Sequence, residues 1–410
     1  MAAAAEPGRT RIDPDDEAFA HPADMPAAIR DWCRGRGKVP PADDAALVRC
    51  IFESLAARYG EVLGNLRGVA PFAIERLHVI GGGAQNDLLN QLTADACGIP
   101  VVAGPSEATA IGNVMVFRKG AKALERPVVL CAHMDEVGVI IKKITDDGML
   151  KFGFVGGVDP RVVIGRPVRF GKTQGVIGIK AVHLTTAAER RTMPKTKNLY
   201  IDIGATSRAA AEKLVSLGDY GVFDSAVVEF GDGLIKAKAI DDRVGCAALL
   251  RLLEDEPPVD TWFCFTVQEE TGLRGAASMA FALDPGFAMV LEGTTAADLA
   301  EVEGADAVCR VRGGVVLPFM DGATIYDAAL FELLRDACIR RGIPWQTKTR
   351  VAGGTDAGRI HRSRAGVRVC AAAAPVRYIH SPSSVAAAAD CEAVLAAARA
   401  FLEELGGDDE

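Results

Sequence analysis

Apolar residues recur with a helical period near the start of the chain, and the period then changes. In "DAALVRCIFESLAARYGEVLGNL" the spacing Leu47, Ile51, Leu55 and Tyr59 predicts an amphipathic helix with those four side chains turned inward. The run "RLHVIGGG" predicts a strand, "NDLLNQLTADACG" a helix ending on Gly98, and "IPVVAG" a second strand. That order is α/β. "RPVVLCAH" reads as a further, buried strand. From about 149 to 235 the pattern becomes short apolar runs between Gly and Asp turns, in "GMLKFGFVGGVDP", "RPVRFGKTQGVIGIKAVHL" and "NLYIDIGA". One helix is expected there, in "SRAAAEKLVSLG". These runs predict a β-rich insertion. From about 236 helices and strands alternate again: helix "VGCAALLRLLED", strands "TWFCFTV" and "FAMVLEG", then helices "DAALFELLRDACIRRG" and "AVLAAARAFLEEL". The expected architecture is an α/β core split by a small β domain.

Composition narrows the function classes. A chain of 410 residues, 49% hydrophobic and 24% charged, has room for two or three domains with a well-buried core. Its net charge of −8, without a Lys/Arg run, argues against nucleic acid as the main partner. No apolar run reaches membrane-spanning length, and the start "MAAAAEPGRTRIDPDDEAF" lacks an apolar signal core. None of the ten cysteines forms a C-x-x-C pair, and most lie in apolar or helical runs. They read as buried free thiols of a cytoplasmic protein.

The candidate chemistry recurs in one context, just after an apolar strand. His133 and Asp135 follow "PVVLCA", Glu269 and Glu270 follow "TWFCFTVQ", Glu292 follows "FAMVL" and His380 follows "VRYI"; Asp241 stands immediately before a helix. Open α/β sheets bind ligands outside the carboxyl ends of their strands, so these groups are expected to converge on one rim. Two imidazoles with carboxylates suit two divalent ions sharing a bridging carboxylate, and a remaining carboxylate can act as general base. An isolated H-x-D or Glu pair is more often a solvated polar group; the joint pattern is what carries the reading. The bland alternative is an acidic rim around one structural ion. Two decoys are set aside. Gly165 to Thr173 mimics a phosphate loop but has five residues between its glycines where the motif needs four. "GGGAQN" is a nonspecific glycine-rich turn, and neither H-E-x-x-H nor G-x-S-x-G occurs.

At these residues two resemblances enter. "AHMDEVG", "KAIDDRVG", "VQEETGLRGA", "GGTDAGRIH" and "RYIHSPSS" closely resemble metallopeptidase family forty-two, the glutamyl and tetrahedral aminopeptidases, over about residues 112–405. The resemblance implies that Asp241 bridges two divalent metals, zinc or cobalt with manganese as a further option. His133 and Glu292 would complete one site, and Glu270 and His380 the other. It implies Glu269 as the general base, Asp135 orienting His133, and Gly354, Thr355 and Asp356 lining the substrate pocket. Family members often have Asp at the position of Glu292. It also implies a three-layer α/β catalytic core from 112–148 and 236–410, and a dimerisation domain at 149–235 from which dodecamers are built. The function implied is hydrolysis of N-terminal residues from peptides.

The segments "DMPAAIRDWCRGRGKVP", "LVRCIFESLAARYGEVL" and "LHVIGGGAQNDLLNQLTADACGIPVVAGPSEATAIGN" resemble instead the C-terminal end of rhamnulokinase, an FGGY carbohydrate kinase. The resemblance covers about residues 12–113, so 1–111 is expected to be an α/β kinase fragment. It implies a vestigial nucleotide site at Gly81, Gly82, Gly83 and Asn86; the sugar-binding half with its catalytic aspartate is absent from the matched stretch, so kinase activity is not expected. The two similarities meet at Ile111-Gly112-Asn113, which reads as a fusion seam. The kinase fragment occupies the place of the peptidase family's own N-terminal segment. The alternatives are therefore an inactive fusion that serves at most as an interaction module and, more remotely, a nucleotide-binding kinase remnant.

Overall fold

The computed structural model describes residues 5–8, 10–19, 22, 24–69, 73–79, 86–103 and 112–407. The chain divides into two compact units, Met1–Gly112 and Asn113–Glu410.

In the first unit, α1 (Met25–Gly35) starts at Asp24, whose carboxylate accepts the N–H of Ala27, with a proline in the first turn where no N–H is needed. Helix α2 (Asp44–Val69) packs on α3 (Asp87–Cys97), and the short strands β1 (Leu77–Val79) and β2 (Val101–Ala103) pair in parallel. The core joins Ile29, Trp32 and Cys33 to Leu47. The buried side of α2 differs from the expected one: it runs through Leu47, Cys50, Ser54, Ala56 and Leu63, while Tyr59 is 40% exposed. Apolar spacing alone misses this face because two of its buried positions are polar. Ser54 donates to Cys50 O and accepts from Ile12 N, and Glu53 pairs with Arg49 and accepts from Gly8 N.

The second unit begins with β3 (Val114–Arg118) and β4 (Val128–His133), then leaves its main sheet for a closed six-stranded barrel. The barrel comprises β5 (Gly138–Ile144), β6 (Leu150–Val155), β7 (Pro167–Phe170), β8 (Thr173–Ile179), β9 (Leu199–Asp202) and β10 (Tyr220–Phe223). Closure pairs β10 with both β5 and β7, and Val139, Leu150, Val168, Ile177, Leu199, Ile201 and Phe223 fill the interior. Each such fully buried side chain contributes about 1.5–3 kcal/mol relative to exposure. The β-rich region therefore starts earlier than 149, because "GVIIKKI" pairs with β6 rather than extending the main sheet. Helices α4 (Ala187–Arg190) and α5 (Arg208–Ala211) are single turns, so the long helix expected in "SRAAAEKLVSLG" does not form: Val215 turns into the barrel core and the chain then bends at Gly218. The phosphate-loop mimic is the β7–β8 hairpin.

Strands β11 (Val228–Phe230) and β12 (Leu234–Ala237) lead into α6 (Ile240–Leu252). The main sheet resumes with β13 (Thr261–Thr266), α7 (Arg274–Leu283) and β14 (Phe287–Thr295). Next come β15 (Val315–Val316), α8 (Ala328–Arg341), β16 (Trp345–Gln346) and α9 (Ala357–Ile360). The unit ends with β17 (Arg368–Val376), β18 (Ser384–Ala387) and α10 (Ala388–Gly406). Strand order in the main sheet is β16-β15-β17-β14-β4-β13-β3, with β17, β14, β4 and β13 mutually parallel. Every residue of β4 is buried, as expected for a strand covered on both faces. Helices α6 and α10 pack together over one face of the sheet, and α7 and α9 over the other, giving three layers. The four parallel strands all end on the same rim.

Candidate metal centre

His133 is the last residue of β4, and Glu269 and Glu270 lie in the turn between β13 and α7. Glu292 sits within β14, which continues to Thr295, rather than after a strand. His380 lies in the turn between β17 and β18. Asp241 stands at the head of α6 with extended dihedrals, φ −82° and ψ 108°, so the chain turns there before the helix proper. A cis peptide joins it to Asp242. Asp242 is wholly buried, accepts from His133 N and Gly245 N, and so ties this turn to the end of β4. Gly245 makes the approach possible: a Cβ there would lie 2.6 Å from both Asp242 oxygens and 2.9 Å from Ala132 Cβ.

The structure brings the six His, Asp and Glu positions together. Asp241 Oδ1 lies 3.0 Å from His133 Nε2, and its Oδ2 lies 3.3 Å from His380 Nε2. Glu292 Oε1 is 3.2 Å from His133 Nε2, and Glu270 Oε2 is 3.5 Å from His380 Nε2. Glu269 Oε2 is 4.0 Å from His133 Nε2. Three overlapping triads have ligand atoms within 4.8 Å of one another: His133, Asp241 and Glu292; Asp241, Glu270 and His380; and His133, Glu269 and Glu270.

Both imidazoles are oriented from behind by backbone. His133 Nδ1 donates to the carbonyl of Asp135 at 3.0 Å, and His380 Nδ1 to the carbonyl of Gly157 at 3.1 Å. That arrangement turns each Nε2 into the cluster, where it can ligate an ion on giving up its proton. The Asp135 carboxylate faces two ways. It lies 3.6 Å from His133 Nδ1 and, against burial, is helped below the usual carboxylate range by the charge of that imidazole; it also accepts the backbone N–H groups of Glu269 and Glu270, each at 3.1 Å. Gly157, at the end of the barrel segment after β6, had no sequence signal, since it acts through its carbonyl alone.

The electrostatics show what the donors lack. Among the described residues, the ion pairs of Asp241, Glu270 and Glu292 are all with His133 and His380. Burial pushes Glu269 up to about 9 against the opposing pull of His133, with Asp356, Asp241 and Glu270 adding to the rise. Burial followed by the Asp241 charge pushes Glu270 up to about 7, and Glu292 is raised for the same leading reason. Burial also opposes ionisation of Asp241, yet bonds from His133 and His380 outweigh it and hold Asp241 well below the carboxylate range. The Asp241 contact raises His380 to about 9. Glu270 Oε1 is buried without a hydrogen-bond partner. Carboxylates this crowded need cations, and the present set fits divalent ions: oxygen and imidazole donors converging on shared points, with an orphaned carboxylate oxygen among them.

The other expected residues divide. Gly354 is exposed, whereas Thr355 and Asp356 are buried, at 6% and 1% exposure. Their side chains point inward: Thr355 meets the Tyr326 hydroxyl at 3.1 Å, and Asp356 accepts from Thr266. These bonds hold both side chains in the protein interior. Gly81, Gly82 and Gly83 lie outside the described residues. Asn86 caps α3, its side chain accepting from Leu89 N, so that oxygen serves the helix.

A layered α/β sheet that gathers histidines and carboxylates at one rim has the make-up of a divalent-metal site, and comparison with known proteins says in which class of protein it stands. Residues 112–396 match the family described as M42 glutamyl aminopeptidase, and the chain belongs to that family of metal-dependent peptide hydrolases. Residues 1–117 match the C-terminal domain of the FGGY family of carbohydrate kinases. The lysyl aminopeptidase of Pyrococcus furiosus is 30% identical over 304 residues, 72% of this chain and 86% of that protein. The solved TET1 peptidase of Pyrococcus horikoshii, described as assembling into a tetrahedron or a large octahedral shell, is 31% identical with a TM-score of 0.62, over 71% of this chain and 87% of its own. For the first unit, the rhamnulokinase of Bacteroides thetaiotaomicron is 66% identical over 111 residues, 27% of this chain, and the chain spans only 23% of that kinase.

Proposed function

We propose that the chain is an aminopeptidase that uses two divalent cations, zinc or cobalt with manganese also compatible with mixed imidazole and carboxylate donors. The observation that carries this reading is Asp241, whose two oxygens face the Nε2 atoms of two different histidines. One carboxylate shared between two donor groups is the arrangement a paired-ion site requires. His133, Asp241 and Glu292 would hold one ion, and Asp241, Glu270 and His380 the other. When bound, the pair supplies Lewis acidity toward the scissile carbonyl and the attacking water.

Glu269 is the cluster glutamate left outside both donor sets. It would accept a proton from the attacking water and return it to the leaving amine. Asp135 supports this by holding the Glu269 and Glu270 backbone N–H groups, which sets where both side chains start. The excess of carboxylates suits a substrate bearing a cationic amino terminus, and the exposed Gly354 would contact the peptide. In assembly, the barrel carries Val182, Leu184, Met193, Leu217 and Tyr220 at 58–69% exposure, which supports association of copies through this region.

The test is hydrolysis of aminoacyl-anilides by purified protein loaded with zinc or cobalt. Activity is expected, with loss on chelation and in Glu269→Gln. An insoluble or metal-free chain would favour the inactive-fusion alternative.

A further inference from the structure

We infer that Asn113 is a positioning residue for Glu269 and Glu270. Its functional meaning rests on the aminopeptidase reading above; the clamp itself rests on geometry. Asn113 is buried and is the first residue of the second unit. Its Nδ2 donates to Gly275 O at 2.7 Å, and its Oδ1 accepts from Val267 N at 3.2 Å. Val267 is the first residue after β13 and Gly275 lies in the first turn of α7, so one side-chain amide joins the two ends of the segment that carries the glutamates.

That segment folds back on itself. Gly275 N donates to Val267 O at 3.0 Å, Arg274 N to Gln268 O at 3.1 Å, and Leu273 N and Gly272 N to Glu269 O at 2.9 Å. Gln268 and Leu273 adopt φ of 58° and 59°, a region side chains enter only when surrounding contacts impose it. Asp135 holds the backbone at the tip, and Asn113 holds it at the base. Gly275 is required for the approach, because a Cβ there would stand 2.4 Å from both Asn113 Oδ1 and Val267 O. Of side chains this size, only an asparagine presents a donor and an acceptor on one planar group; aspartate has no donor and leucine has neither.

The experiment compares the full chain with Asn113→Asp and Asn113→Ala. It uses amide hydrogen exchange in the metal-loaded protein, alongside kcat and KM on an aminoacyl-anilide. Asn113→Asp keeps size and acceptor while losing the donor, so it separates the bond from the volume and decides the matter if Asn113→Ala does not fold. Expected is exchange at least tenfold faster across residues 268–273, with β14 and the barrel unchanged. With it, kcat falls at least tenfold while KM stays within threefold. Unchanged exchange in the segment, or full activity in Asn113→Asp, overturns the inference. So does loss of protection spread evenly over the sheet, which would make Asn113 a general structural residue. If the unsubstituted chain cleaves no anilide, the aminopeptidase reading fails, and the exchange pattern still decides the clamp.

Discussion

Thr266 donates its hydroxyl to Asp356 Oδ2 at 2.5 Å, joining the end of β13 to the start of α9 beneath the acidic cluster. Asp356 Oδ1 has no hydrogen-bond partner, and burial pushes this carboxyl from an ordinary 3.8 up to about 6, against the lowering effect of the Thr266 bond. A carboxyl whose folded value is raised favours the fold when protonated. Its contribution is fully present below pH 4 and is lost as pH rises to about 6. In chelator-treated protein, Asp356→Asn is therefore expected to remove that part of the decline in stability between about pH 4 and 6, measured by urea unfolding at each pH. A variant profile parallel to the parent's would show that Asp356 does not titrate there.

The shared position of Asp241 makes ion stoichiometry diagnostic. Full-length protein is expected to bind two ions per chain, His380→Ala one, and Asp241→Ala neither at comparable ion concentration, read by elemental analysis after gel filtration. Equal loss in the two variants would refute a bridging Asp241.

Glu269→Gln keeps the size of the side chain and removes its basicity. It is expected to lower kcat by roughly 10²–10⁴-fold with both ions retained. Loss of metal in this variant would instead make Glu269 a ligand, in line with the third triad it forms with His133 and Glu270.

Gly245→Ala drives a methyl against Asp242 and Ala132. Overpacking at such a site costs about 1–3 kcal/mol, more if Asp242 must release the His133 backbone. Thermal unfolding of the metal-free variant measures it, and an unshifted midpoint would show that the turn before α6 yields without cost.

The α/β layering was legible because the parallel strands are covered on both faces and read as unbroken apolar runs, "PVVLCA" most plainly. So was the gathering of His133, Asp241, Glu269, Glu270, Glu292 and His380, since polar groups following buried strands must emerge at one rim. What stayed hidden acts through backbone or over long sequence separations. Beside its neighbour His133, the Asp135 carboxylate also serves amides far away at Glu269 and Glu270. Gly157 contributes a carbonyl that every residue owns, and Asn113 stood only as a landmark of the seam. The buried bonds of Thr355 to Tyr326 and of Asp356 to Thr266 join residues far apart in the chain and left no mark in the sequence. Strand β5 was misplaced because a strand's own pattern does not say which sheet it joins.

The end of β4, the head of α6, the turn after β13, the interior of β14 and the turn after β17 each supply part of one cluster, and no stretch of neighbouring residues holds more than a fragment of it. A site so assembled would take up ions only where chain segments from His133 to His380 have found one another. Bound metal per polypeptide becomes a tally of correctly finished molecules, able to separate them from soluble but misassembled ones in the same preparation.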